Sequence, residues 1–296
     1  MEIALNYSIN PEELLWFLSR GYDETIYKVE GKSIYRAFRI GHEKVLVKIT
    51  PYAWSVHIDW LVGTTNADMA ACVKNFVTEW FDLDKDISAF YHLLNIDPVF
   101  DYMVEAFNGL KLVGMPDLFE ALCWAIIGQQ INLSFAYKLK RRLVEKYGDF
   151  IDYEDNRYYL FPSPEGLMAA DPDALREMQF SGSKARYLIN IASAFATGQI
   201  KKEMLIALPA DERIKLLTGL KGIGVWTANY ALMKSLRDPA AIPYGDAGLI
   251  NALLGHGVIP DKKELQGMHA LFERFKGWEA YLVFYLWRSL AAKPVE

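Results

Sequence analysis

Cysteine is scarce in this chain: among its 296 residues only Cys72 and Cys123 carry a thiol. Two thiols allow at most one disulfide and cannot supply the four thiolates of a structural zinc site or an iron–sulfur cluster, so both read as small core residues. Long apolar runs are missing too. Stretches such as YLVFYLW are too short to span a bilayer, and the start, MEIALNYSINPEELL, lacks the basic and apolar regions of a secretory signal. A cytoplasmic location is expected. No repeat or low-complexity tract is visible, and 52% hydrophobic with 23% charged residues is a globular composition. Finally, there is no basic excess. The formal charge of −5 argues weakly against a nucleic-acid partner, since phosphate binding is normally driven by Lys and Arg. The imbalance is local, however: residues 1–110 hold 9 Lys+Arg against 16 Asp+Glu, residues 111–240 hold 17 against 15, and residues 241–296 hold 6 against 6.

What is present changes character along the chain. Between Thr25 and Asp59 the segments IYRAFRI, EKVLVKI and WSVHI alternate apolar and polar residues, punctuated by Gly31, Gly41 and Pro51, which predicts an antiparallel sheet. Helical spacing precedes it in PEELLWFLSR and follows it in NADMAACVKNFVTEWF. Beyond about residue 100 strand signals nearly vanish, and DLFEALCWAIIGQQINLSFAYKLKRRLVEKYG, DPDALREMQF, SKARYLINIASAFATG and DERIKLLTGL all show helical periods. The expected fold is mainly α: an N-terminal α+β domain at 1–105 and an all-helical domain at 106–296. The segment YGDFIDYEDNRYYLFPSPEG, with its acids and two prolines, reads as a long surface connection between helices.

One stretch raises a sharper question. In LKGIGVWTANYALM, residues 220–233, Gly222 and Gly224 flank a single isoleucine between two helical segments. Glycine permits positive φ and leaves no side chain in the way, so amide N–H groups opening the second helix can approach an anion such as phosphate. Alone, the two glycines would equally punctuate a helix–turn–helix corner. Three further stretches accompany them: IPYGDAGLINALL, where Asp246 stands twenty residues after Trp226 and just ahead of a helical run; WAIIGQQINLS, where Gln129 and Gln130 end an apolar helix; and WEAYLVFYLWRSL near the C-terminus.

In this order and spacing the set resembles the helix–hairpin–helix DNA glycosylase superfamily, most closely its AlkA-type 3-methyladenine branch. The resemblance covers nearly the whole chain, with the hairpin at 211–237 and the strand-rich N-terminal third similar to the branch's accessory β-domain. It implies an enzyme of base excision repair that binds double-stranded DNA, flips a damaged base out of the stack and cuts its glycosidic bond. A nucleoid-associated monomer is expected, with no required cofactor. By position, Asp246 would be the catalytic carboxylate; the same residue is also a good helix N-cap. Trp226, Tyr230 and Trp287 match positions lining the base pocket, where aromatic faces attract a cationic alkylated purine. Gln130 matches the wedge that fills the gap, with Gln129 and Ile131 beside it, although the branch carries Leu at the Gln130 position and both glutamines could instead cap or line a helix end. Lys221, Gly222 and Gly224 would hold a DNA phosphate, Lys221 standing where the family usually has Pro. Backbone carbonyls of Thr218, Leu220 and Ile223 fall where family hairpins hold a monovalent cation. In lyase members a Lys lies two residues after the second hairpin glycine; here that residue is Trp226, which implies base release without strand cleavage. The iron–sulfur branch is excluded by the cysteine count. An oxidised-guanine glycosylase and a non-enzymatic helix–hairpin–helix DNA-binding module are the alternatives, the second needing the hairpin but not Asp246.

Overall fold

The computed structural model describes residues 1–263 and 266–291. A short edge strand β1 (Glu2–Ala4) and helix α1 (Pro11–Leu18) lead into β2 (Tyr27–Glu30), β3 (Ser33–Ile40), β4 (Glu43–Pro51) and β5 (Ser55–Val62), followed by α2 (Ala67–Trp80), α3 (Ser88–Asn95) and α4 (Tyr102–Ala106). The five strands form one antiparallel sheet in the order β1-β5-β4-β3-β2, as the alternating segments predict. Asn10 and Asn66 cap α1 and α2 by accepting backbone N–H groups of the first turn, which fixes where each helix begins.

Period-two alternation decides what the sheet buries. Ile34 and Phe38 of β3, Val45, Val47 and Ile49 of β4, and Val56 and Ile58 of β5 point to one side and pack with Met69, Val73, Val77 and Trp80 of α2. Ala37 and Leu46, which are cross-strand partners, point to the other side, and both are buried. Their cover comes from far along the chain. The segment expected to be a surface connection is instead a β-hairpin, β6 (Asp149–Tyr153) and β7 (Asn156–Leu160), whose Ile151, Tyr158 and Leu160 form a second small core with Ala37 and Leu46. Each strand is only five residues long and the turn is acidic with no glycine, so its local pattern resembles that of a loop. Arg157 pairs across the hairpin with both oxygens of Asp152 at 2.8 and 3.1 Å, and Arg39 and Lys44 bond Asp149 at 2.9 Å, tying the hairpin to the sheet.

The remainder is helical: α5 (Leu118–Gly128), α6 (Leu133–Tyr147), α7 (Pro164–Met168), α8 (Pro172–Glu177), α9 (Gly182–Ala196), α10 (Lys202–Ala207), α11 (Ala210–Thr218), α12 (Val225–Ala231), a π-helical turn (Leu232–Leu236), α13 (Ala247–Gly255), α14 (Gln266–Arg274) and α15 (Glu279–Ser289). Helix α5 lies at the centre, buried from Leu118 to Ile127, and one apolar core runs from the sheet through α5 to α15. A five-stranded sheet followed by a helical part containing the hairpin is the architecture expected above.

Candidate active site

The two glycines of the hairpin have different reasons to be there. Gly222 adopts φ +101°, and a Cβ on it would lie 2.3 Å from Cγ of Tyr187, so both backbone conformation and space demand glycine. Gly224 does not need positive φ: it is the N-cap of α12 at φ −88° and ψ 174°, exposed, with nothing within 4 Å of an added Cβ. No side chain caps α12, which leaves the amide N–H groups of its first turn facing outward beside exposed Lys221 and Val225. Of the three candidate cation carbonyls, that of Leu220 accepts the Ile223 N–H, whereas those of Thr218 and Ile223 accept no hydrogen bond among the described residues.

The end of α5 is braced against this hairpin. Lys184 of α9 donates to the Ile127 carbonyl at 2.7 Å, placing a cation at the helix C-terminus, where it is favoured. The Gln129 amide donates to Gly222 O at 3.1 Å and to Thr227 Oγ1 at 3.0 Å. Gln129 is therefore engaged with the hairpin rather than free to enter a base stack. Gln130 is exposed and held at φ +55°, a left-handed conformation that side chains other than glycine adopt rarely and that often marks a functional turn. Ile131 is half-buried and faces a cavity. Asn132 then caps α6 through the Phe135 N–H.

That cavity, about 380 Å³, is the site. Trp226 and Tyr230, one turn apart on α12, stack with ring centroids 5.6 Å apart, and Trp287 of α15 lies 6.1 Å from Tyr230. Trp124 of α5 donates its indole N–H to the Tyr230 hydroxyl at 3.0 Å. Burial holds the Tyr230 phenol well above its ordinary pKa, so it stays protonated. Asp246 sits at the mouth as the N-cap of α13. Its Oδ1 accepts the Leu249 N–H at 2.8 Å and the Trp287 indole N–H at 2.9 Å, while Oδ2 has only the Trp226 indole at 3.4 Å. The N-cap and pocket roles thus fall on the same carboxylate. Gly248 makes this geometry possible, because a Cβ there would crowd Asp246 Oδ1 at 3.1 Å and the Trp287 ring at 3.2 Å. Among the described residues no Lys or Arg pairs with Asp246, whose donors are one backbone N–H and two indole N–H groups.

Much of the cavity wall comes from residues that the sequence did not mark. Phe17, Arg20, Glu24 and Arg36 reach it from the N-terminal part, and Glu120, Lys140 and Lys234 from the helices. Arg36 bonds Glu120 at 3.0 Å, and Lys140 bonds Glu24 at 3.0 Å and Glu120 at 3.5 Å, a buried four-membered ion network. Lys234 lies on the π-helical turn, which directs its side chain inward to donate to the Val113 carbonyl. A signal did exist for Trp124, which opens WAIIGQQINLS. For the N-terminal residues there was none, because their place depends on how α1 and the sheet dock.

With this geometry established, similarity to known proteins decides the family. Residues 123–276 match the family model described as HhH-GPD superfamily base excision DNA repair protein, and residues 2–117 match the AlkA N-terminal domain. The chain belongs to the HhH-GPD superfamily. Among relatives, it is 36% identical over 282 residues to a DNA-3-methyladenine glycosylase of Bacillus subtilis, covering 93% of this chain and 92% of the relative. Among solved structures, the 3-methyladenine DNA glycosylase of Archaeoglobus fulgidus superposes with a TM-score of 0.85 at 25% identity over 97% of both chains. A Schizosaccharomyces pombe 3-methyladenine DNA glycosylase, solved in complex with abasic DNA, matches with a TM-score of 0.56 at 26% identity, covering 69% of this chain and 98% of that one. In this chain the hairpin, the Asp246 carboxylate and the aromatic cavity lie on adjoining elements. Among the described residues no helix is long and apolar enough to cross a membrane.

Proposed function

We infer that this protein is a monofunctional DNA glycosylase that binds duplex DNA as a monomer and releases N-alkylated purines, 3-methyladenine and 7-methylguanine, leaving an abasic site. The observation that carries this reading is Asp246: an unpaired carboxylate, oriented by two indole N–H groups, at the mouth of a cavity walled by Trp226, Tyr230 and Trp287.

Breaking an N-glycosidic bond builds positive charge on the sugar. Asp246 Oδ2, the less engaged oxygen, stabilises that charge and orients the attacking water, while Oδ1 stays locked by Leu249 and Trp287. The alkylated base already carries positive charge, so it departs without a strong general acid, and the aromatic faces hold it as a cation. Gln130 fills the gap left by the flipped nucleotide, with Ile131 on the pocket side. Lys221 and the N–H groups at Gly224 hold a phosphate, and a monovalent cation on the Thr218, Leu220 and Ile223 carbonyls would add positive charge there. Trp226 in place of a lysine leaves no amine at the nucleophile position, which favours hydrolysis over the lyase chemistry of the oxidised-guanine branch.

The test is to incubate the protein with methylated duplex DNA, identify the released bases chromatographically and examine the strands with and without alkali. Free 3-methyladenine and 7-methylguanine are expected, with strand breaks only after alkali and no adduct trapped by borohydride. Release of no base would sink the glycosylase reading, and a trapped adduct would overturn its monofunctional part.

A further inference from the structure

Arg20 is a cation of the cavity wall with hydrogen-bonding capacity to spare. Arg36, Lys140, Glu24 and Glu120 pair with one another, and Lys234 is held by the Val113 carbonyl. Arg20, which follows α1, forms no ion pair among the described residues. Its Nε donates to the Phe17 carbonyl at 2.9 Å and its guanidinium carbon lies 3.9 Å from the Phe17 ring centroid, so the plane of the group is fixed while the terminal nitrogens are left without a protein acceptor. The residue is half-buried and lines the cavity. Its charge is felt by groups around that space: it opposes the upward shift of the Tyr230 and Tyr137 phenols and adds to the downward shift of Lys234. A guanidinium is a donor-only fork, so terminal nitrogens without a protein acceptor remain available to donate to a molecule that enters the cavity.

We propose that Arg20 is a specificity-determining residue that reads the edge of the flipped base, donating to an exocyclic oxygen and so favouring 6-oxopurines over 6-aminopurines. This rests on the glycosylase reading. The guanine O6 atom is a preferred acceptor for arginine, and 7-methylguanine keeps it. In 3-methyladenine the corresponding group is an amine, which presents donors to a donor. Both bases are cationic, so repulsion by the Arg20 charge falls on both alike and cancels in their ratio. A neutral 6-oxopurine escapes that repulsion and gains the hydrogen bond outright.

The experiment measures 7-methylguanine and 3-methyladenine released from the same methylated duplex by the wild type, Arg20→Met and Arg20→Lys, under single-turnover conditions, alongside excision of hypoxanthine from an inosine-containing duplex. Arg20→Met is expected to lower the 7-methylguanine to 3-methyladenine rate ratio by about tenfold or more, the effect of losing one hydrogen bond from a charged donor to O6, and to lower hypoxanthine excision by at least as much. Arg20→Lys, which keeps the charge but not the fork, should fall between. Because the readout is a ratio, a variant that is merely less well folded loses both rates together and leaves the ratio in place; circular dichroism and melting monitor that loss. An unchanged ratio, in either variant, overturns the proposal. Failure of the wild type to release any base would instead refute the glycosylase reading, so the two failures are distinct.

Discussion

At the scale of single residues, the buried lysine on the π-helical turn gives a prediction with a definite sign. Burial, aided by the Arg20 charge, pushes the Lys234 ammonium down to about 7. In the unfolded chain its pKa is the ordinary value of about 10.4. Below pH 7 both states hold the proton and the fold bears the full cost of burying the charge. Between pH 7 and 10 the folded state releases the proton while the unfolded state keeps it, so stability rises with pH, on the order of 1 kcal/mol per pH unit from this group. Lys234→Met removes that slope. Urea midpoints measured at pH 6.5 and 9.5 should therefore show the wild type gaining on the mutant as pH rises; parallel pH dependences would contradict the assignment. Loss of the donor to Val113 adds a cost that does not vary with pH and so leaves the slope comparison intact.

At the scale of elements, the hairpin separates two glycines that the sequence presents as equivalent. Gly222→Ala forces a side chain into positive φ and against Tyr187, and should cost about 2 kcal/mol or more, read as a lowered melting temperature. Gly224→Ala meets open space at an ordinary φ and should change stability by less than about 1 kcal/mol. The second variant is thus the clean probe of DNA binding. It should weaken binding to damaged and undamaged duplexes by similar factors, because a phosphate contact carries no information about the base. Undiminished binding by Gly224→Ala would make the hairpin a structural corner only. The same elements mark where the sequence is legible. The β3–β5 alternation survives because those strands are eight or nine residues long, and the hairpin announces itself through GxG. The β6–β7 hairpin is hidden because its five-residue strands gain a buried face only by docking on Ala37 and Leu46, more than 100 residues earlier in the chain. Asp246, Trp226, Tyr230 and Trp287 are reached through the resemblance of their motifs to the glycosylase family, whereas Arg20 and the ion network are not. No local pattern says that the end of α1 will line a cavity.

At the scale of the whole molecule, the acidic N-terminal third acquires a physical explanation. Glu13, Asp23, Glu79, Asp82 and Asp97 pair with Arg288, Arg141, Lys202, Arg237 and Arg274 of the helical part, and Tyr281 donates to Asp82 at 2.5 Å. Much of the acid excess is thus matched internally, across the join between the two parts, and the formal charge of −5 says little about the DNA-facing surface. Since the sheet, α2 and the helices also share one apolar core, they should unfold together. Far-ultraviolet circular dichroism and tryptophan fluorescence are expected to trace coincident urea transitions; two separated transitions would mean the parts are independent.

The central claim is that the Asp246 carboxylate, in its aromatic cavity, drives base release. Asn is as good an N-cap as Asp, so Asp246→Asn preserves the start of α13 while removing the charge. The decisive measurement is the single-turnover rate of 7-methylguanine release, wild type against Asp246→Asn, with enzyme in saturating excess over a duplex carrying one lesion. The account predicts unchanged duplex affinity and melting temperature with a rate reduced by about 100-fold or more. A well-folded Asp246→Asn protein that releases the base within a few-fold of the wild-type rate would contradict it.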